Sequence, residues 1–107
     1  MPPTRPSLPE AQALADAGAL HEASAILEQV LRTDAVDPSA WQLRGSVQLA
    51  LGARDEAEAC FRKVVYLQPD HALALLQLSV FADDRGDVAG AERLRVRAVR
   101  ALRNETS

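Results

Sequence analysis

The sequence predicts an all-α fold, a solenoid of three antiparallel helical hairpins with about six helices. Three observations predict it: a repeat of 34 residues, a helix-forming composition, and helix-start signals at the repeat boundaries. Hydrophobic residues make up 48% of the 107 residues but aromatic residues only 4%, so the apolar mass is mostly alanine, leucine and valine. Alanine and leucine are the strongest helix formers, whereas aromatic residues favour strands.

The repeat shows in four registers whose members stand 34 residues apart. They are Gly18, Gly52 and Gly86; Ala23, Ala57 and Ala91; Val30, Val64 and Ala98; and Leu31, Val65 and Val99. Glycine accepts the positive φ at which the first helix of a hairpin ends. Alanine in the first turn of the second helix lets the two helices approach closely. We therefore divide the chain into repeats 4–37, 38–71 and 72–105.

Capping signals agree with this division. Asp37 followed by Pro38 supplies an N-cap and a proline at the first helical position, where a missing N–H is harmless. Asp70 is predicted to cap the third unit, after Pro69 has closed the second. Ser7 with Glu10 three residues later forms a capping box, which predicts a first helix at about residues 8–17.

The N-terminal stretch differs in composition from the rest of the chain. Four prolines fall within the first nine residues, and proline is excluded from helix interiors. Residues 1–7 are therefore predicted to be a linker that joins the domain to something else or marks the edge of a fragment. We expect a single domain at residues 8–105 and a short tail at 106–107.

Charge and cysteine content exclude several classes of function. The formal net charge of −3 argues against a phosphate-backbone partner, which calls for a basic surface. Cys60 is the only cysteine, so no intrachain disulfide forms. No uncharged apolar run approaches the roughly 20 residues that span a bilayer. We expect no nucleic-acid partner, no membrane insertion and a cytoplasmic location.

The middle unit resembles the tetratricopeptide repeat, whose signature positions carry Trp41, Gly45, Gly52, Ala57, Phe61 and Pro69. The outer repeats share its glycine and alanine positions at Gly18, Ala23, Gly86 and Ala91. The sequence departs from the family at Arg44, where leucine is usual, and at Gln48, where tyrosine is usual; Leu43 is expected to supply the missing apolar contact. The resemblance implies a right-handed superhelix that binds another protein.

A narrower resemblance covers residues 61–78 and 85–98. These segments are similar to the C-terminal repeats attached to some CheR-type chemoreceptor methyltransferases, including the Frz type of gliding bacteria. Tyr66 and Leu67 before the proline, His71 after it and an arginine-rich last helix carry the likeness. It implies a regulatory domain, with the S-adenosylmethionine-dependent protein-glutamate methyltransferase activity in a separate catalytic domain.

The family resemblance also implies where a partner binds, because the first helix of each hairpin lines the concave face. That face is expected to carry Leu8, Gln12 and Ala15 in repeat one, Ser39, Gln42, Ser46 and Leu49 in repeat two, and Leu73, Leu76, Val80 and Asp83 in repeat three. Basic residues that clamp a terminal carboxylate are absent from these positions. Leu76 and Val80 favour the apolar stripe of a partner helix, although they are equally consistent with packing against the neighbouring hairpin.

Residues that carry chemistry are few, and the sequence predicts no catalytic site, metal site or cofactor. His21 and His71 lack the spacing of metal ligands, and Cys60 is expected to be a buried thiol. Asp83, Asp84 and Asp87 lack the pattern of a calcium loop, and a helix end explains them better.

The last helix places Arg93, Arg97 and Arg100 on one face, which would either contact an acidic partner or remain solvated. Arg95 stands where Phe61 and Leu27 stand in the earlier repeats. A charged residue at this inter-repeat position predicts that no fourth hairpin follows.

Three functions are compatible with these features. The leading one is a protein-interaction domain that controls or directs receptor methylation by binding a methyltransferase catalytic domain or a chemoreceptor. The alternative is a free-standing assembly or secretion chaperone that shields an apolar helix of a client. The third is self-association through the first or last helix. An enzyme is not expected.

Overall fold

The structure is a computed structural model that describes residues 5–106, and six helices follow one another within that range. They are α1 (Leu8–Asp16), α2 (Leu20–Thr33), α3 (Pro38–Ala50), α4 (Arg54–Leu67), α5 (Ala72–Asp84) and α6 (Val88–Thr106). No strand occurs between residues 5 and 106, and the predicted all-α class is confirmed. Residues 1–4 of the predicted linker and Ser107 of the predicted tail lie outside the described residues, and Thr106 is the last residue of α6.

Consecutive helices pair into three hairpins, which we call hairpin one (α1 and α2), hairpin two (α3 and α4) and hairpin three (α5 and α6). The hairpins stack because α2 packs against α3 and α4 packs against α5. The stack measures 53 × 33 × 22 Å, an elongated shape typical of repeat architectures in which each unit touches only its neighbours. The predicted solenoid is confirmed.

Glycine ends the first helix of every hairpin in the left-handed region of backbone conformation. The φ angles are 79° at Gly18, 84° at Gly52 and 82° at Gly86. Residues with a Cβ rarely adopt such angles, so the 34-residue glycine register marks positions where the backbone requires glycine.

Helix starts follow the prediction in two hairpins and depart from it in the third. Ser7 Oγ accepts a hydrogen bond from the Glu10 N–H at 3.3 Å, and Asp37 Oδ1 accepts one from the Ser39 N–H at 2.9 Å. At α5 the cap is His71, whose Nδ1 accepts from the Ala74 N–H at 3.1 Å. The prediction of Asp70 as the cap is wrong, because His71 is the residue directly before the helix and Asp70 lies one position too early.

The core is organised by small residues that allow close helix contacts. Ala23, Ala57 and Ala91 are fully buried, as the repeat predicted. Phe61 of α4 is also fully buried, and its ring lies 6.2 Å from that of Phe81 in α5. Because α4 belongs to hairpin two and α5 to hairpin three, this ring pair joins the two hairpins.

Gly45 of α3 lies directly against the Phe61 ring. A Cβ at this glycine would come within 2.5 Å of Phe61 Cε1 and 2.8 Å of Cδ1. These separations are far inside van der Waals contact, so only a residue without a side chain allows α3 and α4 to pack this closely around the ring.

Gly45→Ala should therefore lower the free energy of unfolding by about 1–3 kcal/mol, since overpacking costs more than alanine's helix propensity returns. Chemical denaturation followed by circular dichroism measures the change. Ser46→Ala, at the exposed neighbouring position, is the control and should change stability by less than about 0.5 kcal/mol. Equal stability of Gly45→Ala and the wild type would show that the ring is not held rigidly.

Candidate functional site

The first helices of the hairpins carry an exposed apolar stripe, which is concentrated on α5. Leu73, Leu76 and Val80 are 54%, 38% and 55% exposed, and we call them the α5 stripe. Their spacing of three and four residues places them on one face of the helix. Each of these side chains therefore keeps part of its apolar surface accessible while the rest is covered by the chain itself.

Hairpin two contributes a more polar surface at the equivalent positions of α3. Ser39 and Ser46 are exposed, and Leu49 is 38% exposed. The half-buried Gln42 donates a hydrogen bond from Nε2 to Gln77 Oε1 at 2.8 Å, which ties α3 to α5. The predicted partner-binding residues of hairpins two and three therefore include accessible side chains and one that joins the hairpins.

The remaining predicted positions are engaged within the chain. The carboxylate of Asp83 accepts a hydrogen bond from Arg95 Nη1 at 2.8 Å. In α1, Gln12 donates to Asp16 at 2.8 Å, while Leu8 and Ala15 are half-buried against the core of hairpin one. Among the predicted partner-binding positions, the most exposed apolar side chains therefore lie on α5 of hairpin three.

A cleft of about 570 Å³ between α2, α3 and α4 was not predicted from the sequence. It is lined by Glu28, Trp41, Arg44, Glu56, Ala59, Cys60 and Lys63. Two cationic side chains make cation–π contacts with the Trp41 ring. The guanidinium carbon of Arg44 lies 5.8 Å and Nζ of Lys63 lies 5.9 Å from the ring centroid. The sequence signal for this cleft was Arg44, which lines it and stands where the family has leucine; the other departure, Gln48, reaches the cleft only through its hydrogen bond to Glu56.

These two polar replacements have different surroundings. Gln48 is 7% exposed and donates to Glu56 Oε2 at 2.9 Å, so its burial is compensated. The Nε atom of Arg44 is buried and has no hydrogen-bond partner among the residues that the structure describes. Leu43, one position earlier, makes an apolar contact with the cluster of Ala11, Ala23, Leu27 and Val47.

Arg44→Leu restores the family's usual residue and should raise the free energy of unfolding by about 1 kcal/mol, because a buried polar atom without a partner carries a desolvation cost. Thermal unfolding followed by circular dichroism measures this. Arg32→Leu is the control, since Arg32 is exposed and its loss relieves no buried group. A lower melting temperature for Arg44→Leu would show that the contact with Trp41 outweighs the desolvation of Nε.

Cys60 lies at the base of this cleft and is 2% exposed. Burial raises the pKa of its thiol above the ordinary value of 9.0, and the nearby Arg44 opposes that increase. The native state therefore holds the proton to higher pH than the unfolded chain. The protonated Cys60 thiol therefore contributes to the free energy of unfolding. This contribution is complete below pH 9.0 and declines as the pH rises above it.

We expect Ellman's reagent to label native Cys60 at least roughly tenfold more slowly than the urea-unfolded chain at the same pH, because the thiolate is the reactive form. The rate of absorbance increase measures this. Cys60→Ala should give no labelling and a smaller loss of stability above pH 9.0. Equal labelling rates in the native and unfolded states would contradict the buried, protonated thiol.

Other polar side chains do not assemble a reactive centre in the described part of the chain. No group of three or more His, Cys, Asp or Glu residues within it has an arrangement suited to a metal ion. His21 is exposed and His71 is the half-buried cap of α5. No helix among residues 5–106 has the length and apolar character needed to cross a membrane.

These features define a class of protein. Residues 38–71 match the tetratricopeptide repeat family, and the three stacked hairpins have that family's architecture. The chain is therefore a protein–protein interaction module whose middle hairpin is a tetratricopeptide repeat, and solenoids of this kind present extended concave binding surfaces.

Two curated relatives narrow the class. The chain is 38% identical over 92 residues to the probable biofilm formation methyltransferase WspC of Pseudomonas aeruginosa, and 34% identical over 90 residues to the protein of that name in Pseudomonas putida. The matches cover 86% and 84% of this chain but only 22% and 21% of the relatives. The chain thus spans about a fifth of their length, and the predicted resemblance to repeats of methyltransferases is confirmed.

Solved structures share the fold at low sequence identity. The crystal structure of MamA superposes with a TM-score of 0.82 at 17% identity, covering 90% of this chain and 56% of MamA. The type III secretion translocator chaperone SycD of Yersinia enterocolitica gives 0.77 at 16% identity, covering 86% of this chain and 63% of SycD. These similarities establish the architecture alone.

Proposed function

We propose that this chain is the regulatory repeat region of a chemotaxis receptor methyltransferase that uses S-adenosylmethionine to modify receptor glutamates in the cytoplasm. The observation that carries the proposal is the similarity to two methyltransferases along most of this chain. Since the chain spans about a fifth of those relatives, the catalytic domain belongs to the remainder. The repeats then control or direct methylation by binding the catalytic domain or a chemoreceptor.

The α5 stripe is the part of the surface best suited to such binding. Leu73, Leu76 and Val80 project from one helix face, and their partial exposure leaves apolar area that a partner can cover. Covering the exposed part of each side chain contributes about 1 kcal/mol. Three such residues provide a few kcal/mol before the costs of association, a magnitude suited to a reversible regulatory contact.

The chemistry of the α5 stripe indicates the kind of segment that binds. The neighbouring serines of α3, Ser39 and Ser46, are exposed and uncharged, and Asp83 is neutralised by Arg95. An amphipathic helix that presents aliphatic residues to α5 and small polar residues to α3 complements this surface.

The second candidate function is a chaperone that shields an apolar helix of a client. The likeness to the secretion chaperone SycD favours it, but at 16% identity that likeness concerns the fold. Both functions use the same surface, formed by the α5 stripe and the equivalent positions of α3, which we call the groove, and they differ in the identity of the bound helix.

Leu76→Arg should weaken partner capture while the helical signal and melting temperature stay near those of the wild type, since the residue is 38% exposed. The measurement is affinity capture from the source organism's lysate followed by mass spectrometry. Val36→Arg is the matched control, because Val36 is a 69% exposed apolar residue in the loop between α2 and α3.

Groove-dependent retention of a methyltransferase or a chemoreceptor supports the regulatory function. Retention of secretion components, lost in Leu76→Arg and kept in Val36→Arg, would reject it in favour of the chaperone. Identical retention by both variants and the wild type would show that the groove is not the binding surface.

A further inference from the structure

The outward side of α6 forms a second surface that the groove does not include. Ala89, Glu92, Arg93, Val96, Arg97 and Arg100 line a shallow depression of about 490 Å³ there, and we call these residues the α6 outer face. The helix buries Ala91, Ala98 and Ala101 on its other side. The α6 outer face therefore points away from the hairpin's own core.

Positive charge is concentrated on this helix in an otherwise acidic chain. The net charge of the whole chain is −3, yet α6 contains five arginines and two glutamates. Arg93 and Arg97 are four residues apart and Arg100 follows three residues later, spacings at which like charges on a helix destabilise it. The arrangement is unfavourable for an isolated helix.

The arginines of the α6 outer face differ from those elsewhere in their partners. Arg54 pairs with Asp84, Arg62 and Arg85 pair with Glu58, and Arg95 pairs with Asp83. Arg93 and Arg100 have no ion pair or hydrogen bond within residues 5–106, and Arg97 donates only to the Pro69 carbonyl oxygen at 3.2 Å. Glu92, the acidic residue of this face, is directed to Arg95 at 3.3 Å. No carboxylate of the described chain therefore neutralises the three arginines.

An apolar side chain lies among these charges. Val96 is 40% exposed and stands between Arg93 and Arg100 at helical spacing. The strip from Ala89 to Arg100 is about 16 Å long, roughly three helical turns. A straight, narrow strip of this kind fits a second helix packed alongside it.

We propose that the α6 outer face binds an acidic amphipathic helix of a protein partner, independently of the groove. Glutamates or aspartates at spacings of three and four residues reach Arg93, Arg97 and Arg100, and an aliphatic residue between them covers Val96. Guanidinium groups suit this role because they pair with carboxylates through two parallel hydrogen bonds.

Two other anionic partners fit the surface less well. Nucleic acid presents phosphates continuously and calls for an extended basic surface, whereas the positive charge here is confined to one helix of an acidic chain. Membrane-bound helices present tryptophan, phenylalanine or leucine to the bilayer, whereas this face offers alanine and valine.

The test uses a fluorescein-labelled synthetic peptide of about 20 residues, long enough to form a helix, with a leucine stripe flanked by glutamates. Fluorescence anisotropy with the 107-residue chain should show binding that weakens between about 50 mM and about 300 mM salt, because exposed charge pairs are screened. Arg93→Glu/Arg100→Glu should weaken binding at least roughly tenfold. A peptide with lysines in place of the glutamates should bind that double variant and not the wild type.

The matched control is Arg32→Glu/Arg62→Glu, which makes the same change in net charge at exposed positions of α2 and α4 and should leave binding within about twofold. Circular dichroism confirms that both variants are folded. Leu76→Arg, which alters the groove, should bind the acidic peptide as the wild type does.

Equal binding by the two double variants would overturn the proposal, as would loss of peptide binding in Leu76→Arg alone. So would tighter, Arg93- and Arg100-dependent binding to phosphatidylglycerol vesicles or to duplex DNA than to the peptide. None of these outcomes bears on capture of a methyltransferase or chemoreceptor through the groove.

Discussion

The contact between the Phe61 ring and the bare backbone of Gly45 is the constraint on which the rest of the structure depends. It fixes the distance between α3 and α4 within hairpin two. Through the neighbouring Phe81 ring it also fixes where hairpin three docks. The position of the α5 stripe relative to α3 follows from that docking, so the geometry of the groove depends on a contact buried on its other side.

The repeat position that carries Phe61 in hairpin two carries a charged residue in the last hairpin. Arg95 occupies in hairpin three the place that Phe61 occupies in hairpin two, and it is half-buried. Its guanidinium pairs with Asp83 of α5, which joins the two helices, and with Glu92 of its own helix α6. A stacking surface based on an aromatic ring is replaced by one based on charge, which makes the outer side of hairpin three chemically unlike the interfaces within the stack.

The fold was predictable because its determinants are local and repeated. The 34-residue glycine register corresponds to three positive φ angles, and the alanine register corresponds to fully buried contacts. Sequence reasoning favoured Asp70 as the cap of α5 because aspartate is the commoner capping residue. In the structure the ring nitrogen of His71, one position later, accepts the capping hydrogen bond.

The candidate site was less predictable, because it depends on how neighbouring helices meet. The sequence left the α5 stripe as either groove or core, and its partial exposure depends on how α5 meets its neighbours in the stack. The cleft around Trp41 requires α2, α3 and α4 together. Its sequence signal was one departure from the family pattern, Arg44, which indicates where the surface changes without indicating its shape.

The hydrogen bond between Gln42 and Gln77 adds a polar contact to the stacking of hairpins two and three. Each hairpin touches mainly its neighbours, so the curvature of the whole solenoid is set by two interfaces acting in series. This hydrogen bond crosses one of them on the groove side. The relative placement of α3 and α5, the two helices that carry the exposed residues of the groove, is therefore held by this side-chain contact as well as by the packing of α4 against α5.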